Sequence, residues 1–323
     1  MLSNYHSAHS SIFNSQNPTA LHAWIYYGAP AQNAPDTYKK HKIDVLRPQY
    51  FNLLDDGSLQ RIDEDPYDLY TTQNAFSEKN ISELKMYSKE QLVTISGHVT
   101  GMRNAFAKRA TNYTGIVDIL VDFVNEHQLT GIDIDFESYN LWTKTDYTNY
   151  KHFISVLGSK LHKSSKKLAV CGPMWTSSHS PHQWKYIDFV NLPVDYITPM
   201  VYDYQWDYGA GQPTCPLAWL KRWILMMKKL FKNERLVIGL PSYGYTASLG
   251  QYNIKNLSLE QIKHLNGYHG GIRDNSSAEI IKVVGNTVYV SNDRESMNVK
   301  RKLVESLGAT QVSVWHLGGN DWF

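Results

Sequence analysis

Cysteine is nearly absent: the chain of 323 residues has two, Cys171 and Cys215. At most one intrachain disulfide is possible, whether or not the two pair, and no cysteine framework for zinc or an iron–sulfur cluster exists. Stability must come from packing. An excess of one charge sign is missing too, since 32 Lys and Arg stand against 30 Asp and Glu for a formal net charge of +2. That removes the electrostatic footprint of a dedicated nucleic-acid binder, so no nucleic-acid partner is expected. No run approaches the roughly 18 apolar residues of a membrane span. The amino terminus, MLSNYHSAHSSIFNSQNPTA, has neither a basic start nor an apolar stretch long enough for a signal peptide. The expectation is a soluble protein with no visible export signal, its compartment and oligomeric state left open. His98, His179, His182, His269 and His316 fit no metal-ligand spacing, so neither a metal nor a cofactor is expected.

What the chain does have is aromatic side chains: 9 Trp, 22 Tyr and 10 Phe, or 13%. The apolar face of a pyranose packs on an aromatic plane, which suits a sugar-binding cleft, but surplus rings also fill cores. Composition does not choose between the two.

Residues 1–20 are polar, rich in Ser, Asn and His, and read as a loose arm. From residue 21 to 323, short apolar runs alternate with segments of helical period, the pattern of repeated strand–helix units. Strands are predicted at 22–27, 43–54, 92–96, 130–136, 168–172, 194–202, 235–240 and 311–315. Helices are predicted at 77–86, 102–109, 113–127, 146–163, 182–190, 216–231 and 294–307. In the third of these, Ile116, Ile119, Leu120, Phe123 and Val124 form one stripe; in the sixth, Trp219, Leu220, Trp223, Met226, Met227 and Leu230 do. Between about 246 and 292 the rhythm breaks, and AEIIKVVGNTVYVSND reads as a hairpin turning at Gly285-Asn286. Eight strands with their helices predict an α/β fold, a (β/α)8 TIM barrel. A small hairpin-containing insert follows strand seven, and the site lies at the carboxyl ends of the strands.

The densest chemistry is Gly131-Ile132-Asp133-Ile134-Asp135-Phe136-Glu137. Residues two apart on a strand share a face, so Asp133, Asp135 and Glu137 point one way and Ile132, Ile134 and Phe136 the other. On a barrel strand the apolar face meets the helices, which sends the carboxylates inside. Three like charges crowded there cannot all stay ionised, so at least one keeps its proton near neutral pH. A protonated carboxylic acid at a strand's carboxyl end suits glycoside hydrolysis, where the leaving oxygen needs a proton. Ringed side chains at predicted strand ends, among them Tyr26, Phe51 and Trp175, are candidates to line a sugar cleft.

The run TGIDIDFE at 130–137 resembles the Asp-Gly-x-Asp-x-Asp-x-Glu signature of glycoside hydrolase family 18, the chitinase family. The resemblance extends to Met200-Val201-Tyr202-Asp203, to Pro241-Ser242-Tyr243-Gly244 and to Trp315, so it spans strands four, six, seven and eight. Its carboxyl part is most similar to the spore-cortex and cell-wall hydrolase subgroup. The resemblance implies Glu137 as proton donor, Asp135 as the group that orients the substrate acetamide, and Asp133 as its support. It implies that Tyr202 donates to the acetamide oxygen, that Asp203, Met200 and Tyr243 contact sugar or acid, and that Trp315 floors the subsite of the cleaved sugar. The implied activity is retaining hydrolysis of β-1,4-linked N-acetylglucosamine glycans, chitin or peptidoglycan, with the substrate's own acetamide as nucleophile. A non-catalytic chitooligosaccharide-binding protein on the same barrel is the alternative; the presence of Glu137 favours the enzyme. Three positions depart from the pattern. Thr130 replaces the first Asp, Ser96-Gly97-His98-Val99 only partly matches the Ser-x-Gly-Gly of strand three, and Phe136 stands where many members carry Trp.

Overall fold

The computed structural model describes residues 19–29, 31–68, 71–107, 113–174, 183–265 and 267–323. The arm expected at 1–20 lies almost wholly outside the described residues. The barrel strands are β1 (Ala20–Ile25), β2 (Ile43–Leu53), β3 (Ser88–Gly97), β4 (Gly131–Phe136), β5 (Lys167–Gly172), β6 (Tyr196–Pro199), β7 (Ile238–Pro241) and β8 (Gln311–Trp315). Along the path β6-β5-β4-β3-β2-β1-β8-β7 every neighbouring pair is parallel. Single parallel bridges, Ile197 to Leu236 and Met200 to Gly239, bring β6 to β7 and nearly close the ring. This is the (β/α)8 barrel that the alternation predicts.

Among the described residues, six helices of nine residues or more pack outside: α1 (Glu78–Tyr87), α2 (Val99–Ala107), α3 (Thr114–Glu126), α4 (Lys144–Lys163), α5 (Leu217–Met227) and α6 (Arg294–Ser306). Their starts are written locally. Ser77 caps α1 through the Asn80 amide, and Thr143 with Asp146 and Asp293 with Ser296 form capping boxes for α4 and α6. The apolar faces of α3 and α5 sit slightly rotated from the expected stripes. On α3 the buried arc is centred between Val117 and Leu120 and leaves Ile119 51% exposed. On α5, Ile224 is buried and Met226 turns outward.

The helix expected at 182–190 is reduced to a four-residue 3-10 turn, Tyr186–Phe189. Trp184, Tyr186 and Phe189 are all buried, and an α-helix cannot put residues 184 and 186 on one stripe. Instead Trp184 stacks on Phe189 at 4.3 Å. Much of the aromatic surplus goes here, to a core behind β4 and β5 that also takes in Tyr139, Trp142, Tyr147 and Tyr150.

After β7 the chain builds an antiparallel sheet from Gly244–Ser248, Lys255–Leu257, Ile272–Arg273, Ile280–Val284 and Thr287–Ser291. Gly285, at φ +59°, turns the last two strands. Glu279, just before the Ile280–Val284 strand, accepts hydrogen bonds from the Thr214 and Cys215 amides and pairs with Lys300 of α6 at 3.1 Å, with both side chains wholly buried. Cys171 and Cys215 are both buried free thiols.

The approach of β4 to β5 is set by Gly131, where an added methyl would sit 1.9 Å from the Lys167 carbonyl oxygen. Gly131→Ala is therefore expected to cost about 3 kcal/mol through overpacking. Chemical denaturation of the two proteins checks it, and an unchanged midpoint would refute the close approach.

Candidate active site

Strand β4 alternates as its sequence requires. Phe136 faces outward, 6.0 Å from the Phe153 ring and 6.1 Å from that of Tyr150 on α4. Asp133 faces inward and is wholly buried. Its Oδ2 accepts from Trp24 Nε1 at 2.8 Å and Thr94 Oγ1 at 2.9 Å; its Oδ1 accepts from Arg47 Nη1 at 3.3 Å and, weakly, from Cys171 Sγ at 3.5 Å. These donors come from β1, β3, β2 and β5, so the carboxylate lies on the barrel axis.

One layer higher, Asp135 is 7% exposed and its Oδ1 has no hydrogen-bond partner. Burial, then the charges of Glu137 and Asp133, raise its carboxyl well above the usual range, with the Arg47 cation opposing them. Glu137 follows the strand's last residue. Its amide donates to the Gly97 carbonyl at 2.8 Å, and its own carbonyl accepts from Trp142 Nε1 at 2.9 Å. Both backbone groups are thereby held while the carboxyl projects beyond the strand. Burial, then the neighbouring Asp203, push that carboxyl up to about 7.

The ends of β6 and β7 close the far wall. Met200 is buried and bridges to Gly239. Tyr202 is buried; burial and then the Asp135 charge hold its phenol well above the ordinary value. Asp203 adopts φ +68°, a left-handed conformation uncommon for a non-glycine residue. The Tyr243 hydroxyl and Gln205 Nε2 both donate to its Oδ1, the latter at 3.2 Å. The Tyr243 ring also meets Tyr202 edge-on at 6.1 Å. Tyr243 then lines a cleft of about 230 Å³ with Tyr26, Trp315, His316 and insert residues Asn256, Leu257 and Ser258. Trp24 links this cleft to the carboxylates from the other side: its ring sits edge-on to Trp315 at 5.9 Å while its indole N–H reaches Asp133.

Of the candidates named from sequence, the structure brings Asp133, Asp135, Glu137, Tyr202, Asp203 and Tyr243 into one neighbourhood, with Tyr26 and Trp315 on the adjoining cleft. Met200 lies beneath, in the wall. Phe51 does not join them. A bulge between Gln49 and Phe51 shifts the register of β2 against β3 and pairs Phe51 with Ile95. The ring then turns outward onto Phe123 of α3 at 5.0 Å. Trp175 lies outside the described residues. Two functional neighbours escaped the sequence reading, Trp24 and Arg47. Trp24 was within reach, since period two carries Tyr26 back to Trp24 and His22 on one face. The signal for Arg47 was a lone cation in the apolar strand IDVLRPQYFNLL.

Residues 22–320 match the family model Glycosyl hydrolases family 18. The chain belongs to that family. Among relatives by sequence is the uncharacterized glycosylase YvbX of Bacillus subtilis, 26% identical over 168 residues that span 51% of this chain and 45% of YvbX. The match thus spans less than half of that relative's length. Among solved structures, a chitinase from Chromobacterium violaceum superposes with TM-score 0.74 at 20% identity, over 94% of this chain and 95% of that one. The spore cortex-lytic enzyme SleL of Bacillus megaterium gives 0.71 at 15% identity, over 96% and 72%. At these identities the likeness to this family-18 chain is one of fold.

The raised Glu137 pKa has a consequence for stability. The folded state holds this proton more tightly than the unfolded state, whose value is near 4.5. The contribution is therefore full below 4.5 and lost as pH rises through about 7. Glu137→Gln removes the charge of this half-buried carboxyl, so it should stabilise the protein at pH 8, by about 1–3 kcal/mol, and change little at pH 4. Calorimetry at both pH values checks this; equal shifts at both would contradict the burial of the carboxyl.

Proposed function

We propose that this protein is a retaining glycosidase of β-1,4-linked N-acetylglucosamine glycans, chitin oligomers or peptidoglycan glycan, with Glu137 as general acid and base. The observation that carries the reading is a carboxyl at the carboxyl end of β4 whose pKa is pushed up to about 7. Such a group holds a proton to give at neutral pH and can take one back. In this reading the Glu137 proton passes to the glycosidic oxygen as the bond from the anomeric carbon to that oxygen breaks. The substrate's acetamide oxygen attacks the same carbon from the opposite face and forms an oxazolinium ion. Water, giving its proton to Glu137, then opens that ring at the anomeric carbon, and the product retains its configuration.

Two side chains are suited to the acetamide. The unpartnered Oδ1 of Asp135 is a free acceptor for its N–H, and once Glu137 has given its proton to the leaving oxygen, Asp135 can pass its own proton reversibly to Glu137, so that a charge forms beside the positive ion and stabilises it. The Tyr202 phenol, held protonated by burial and the acids around it, is a donor for the carbonyl oxygen. Burial and then the Asp203 charge raise Glu137, and Asp203 is itself held by Tyr243. Tyr26 and Trp315 offer ring faces to a pyranose beside these groups. Because the nucleophile belongs to the substrate, no second protein carboxylate has to stand across the bond as in two-carboxylate hydrolases.

Glu137→Gln should abolish release of reducing ends from chitooligosaccharides while leaving binding largely intact; near-normal turnover would remove the acid assignment. Asp135→Asn should lower kcat by roughly 10² or more if the charge acts in the transition state. The alkaline limb of the wild-type kcat/KM profile, which reports the free enzyme, should fall near pH 7, where Glu137 loses its proton. Product masses from chitin oligomers beside peptidoglycan decide the substrate, and no cleavage of either would refute the reading.

A further inference from the structure

Beneath the three carboxyl groups lies a buried cation. Arg47, on β2, is wholly buried. Its Nη1 donates to Asp133 Oδ1 at 3.3 Å and to Thr198 Oγ1 at 3.1 Å, its Nη2 is 2.9 Å from His22 Nδ1, and its guanidinium lies over the Trp24 ring at 5.0 Å. A guanidinium only donates, so His22 Nδ1 is the acceptor there, and its other ring nitrogen carries the hydrogen toward Gln311 Oε1, 3.2 Å away. His22 is neutral: burial, then the Arg47 charge, push its pKa well below the ordinary value. A buried arginine is costly unless fully paired. Val45, Leu92 and Ala169 fill part of the barrel with apolar side chains, and the Lys167–Glu90 pair below keeps contact with solvent, so packing alone does not call for a wholly buried Arg47.

The geometry points to Arg47 as a positioning residue, an inference that rests on the glycosidase reading: it fixes Asp133 as the ion-paired floor of the row, so that the proton the crowded acids retain resides above it, on Asp135 and Glu137. Each oxygen of Asp133 faces one partner that can only donate, Trp24 Nε1 on Oδ2 and Arg47 Nη1 on Oδ1. A proton on either oxygen would have to turn to its second partner, the Thr94 hydroxyl or the Cys171 sulfur, and would give up a donor already in place, so the four donors together favour the ionised form. Asp135 has a free oxygen instead. Among the described groups facing the row, Arg47 supplies the positive charge. Cys171, Tyr139, Tyr150 and Tyr202 are buried groups kept neutral by burial, and Asp203 and Tyr243 add a further acid and a phenol. Lys167, which faces His22 from below, is engaged by Glu90 at 2.6 Å.

Two measurements test this. The first reads the resting protein: carboxyl 13C signals of the wild type, assigned with Asp135→Asn and Glu137→Gln. At pH 6 the Asp133 signal should be that of an ion-paired carboxylate while Asp135 is protonated; a protonated Asp133 above a charged Asp135 overturns the inference. It needs no substrate, so it stands or falls apart from the glycosidase reading, which fails by itself if the wild type cleaves no glycan. The second uses Arg47→Gln, which keeps an amide donor and loses the charge. Titration of the row should move up by about one pH unit or more. The kcat on chitooligosaccharide should fall about tenfold or more, with KM within about twofold. Arg47→Lys should restore most of both. A folded Arg47→Gln protein with wild-type titration and kcat, or a loss confined to KM, overturns the inference; should Arg47→Gln not fold, the wild-type titration still decides.

Discussion

A barrel strand that is apolar on its outer face and acidic on its inner face imposes one constraint on everything around it: each inward carboxyl must find a cation, donors or a proton, because water cannot serve it. Asp133 meets the demand with donors from four other strands, Arg47 among them. At Asp135 and Glu137, one and two layers higher, burial and then neighbouring charge raise the carboxyls and favour their protonated forms. The graded row of paired, crowded and nearly neutral acids thus follows from depth in the barrel. That same grading separates a structural carboxylate from groups fit for acid–base chemistry.

The surroundings keep the row in place from both sides. Trp142 and Gly97 fasten the backbone of Glu137, and Tyr243 fastens Asp203 opposite. Tyr243 is anchored in turn, because its carbonyl accepts from Asn292, whose Oδ1 takes the Lys300 ammonium. The insert sheet and α6 therefore reach the acids through a short chain of buried polar contacts. One cluster of rings, including Tyr139, Trp142, Tyr150, Trp184 and Phe189, packs behind β4 and β5, while Tyr26, Trp315 and Tyr243 stand at the open end of the barrel.

Much of this was legible in the chain itself. The alternation of apolar runs and helical stripes predicted eight strands and a barrel, because a parallel strand needs a helix to return it. The run from Asp133 to Glu137 announced an inward acidic face, since period two admits no other division of those residues. The rotations of the α3 and α5 stripes were not legible: a helical wheel gives the width of an apolar face, and the barrel wall chooses which edge of it is covered. Phe51 shows the same limit on a strand, where one bulge reverses the side of every residue beyond it.

Local sequence thus determined which side chains could share a face, because periodicity is a property of the backbone alone. Tertiary structure decided which faces meet: that a lone arginine on β2 and a tryptophan on β1 arrive at the same aspartate, 86 and 109 residues away along the chain. Closure of the ring brings them there. The energies of the site, from the unpartnered oxygen of Asp135 to the raised carboxyl of Glu137, depend on that meeting, because distance and exclusion of water set electrostatics, and neither is written in any one segment.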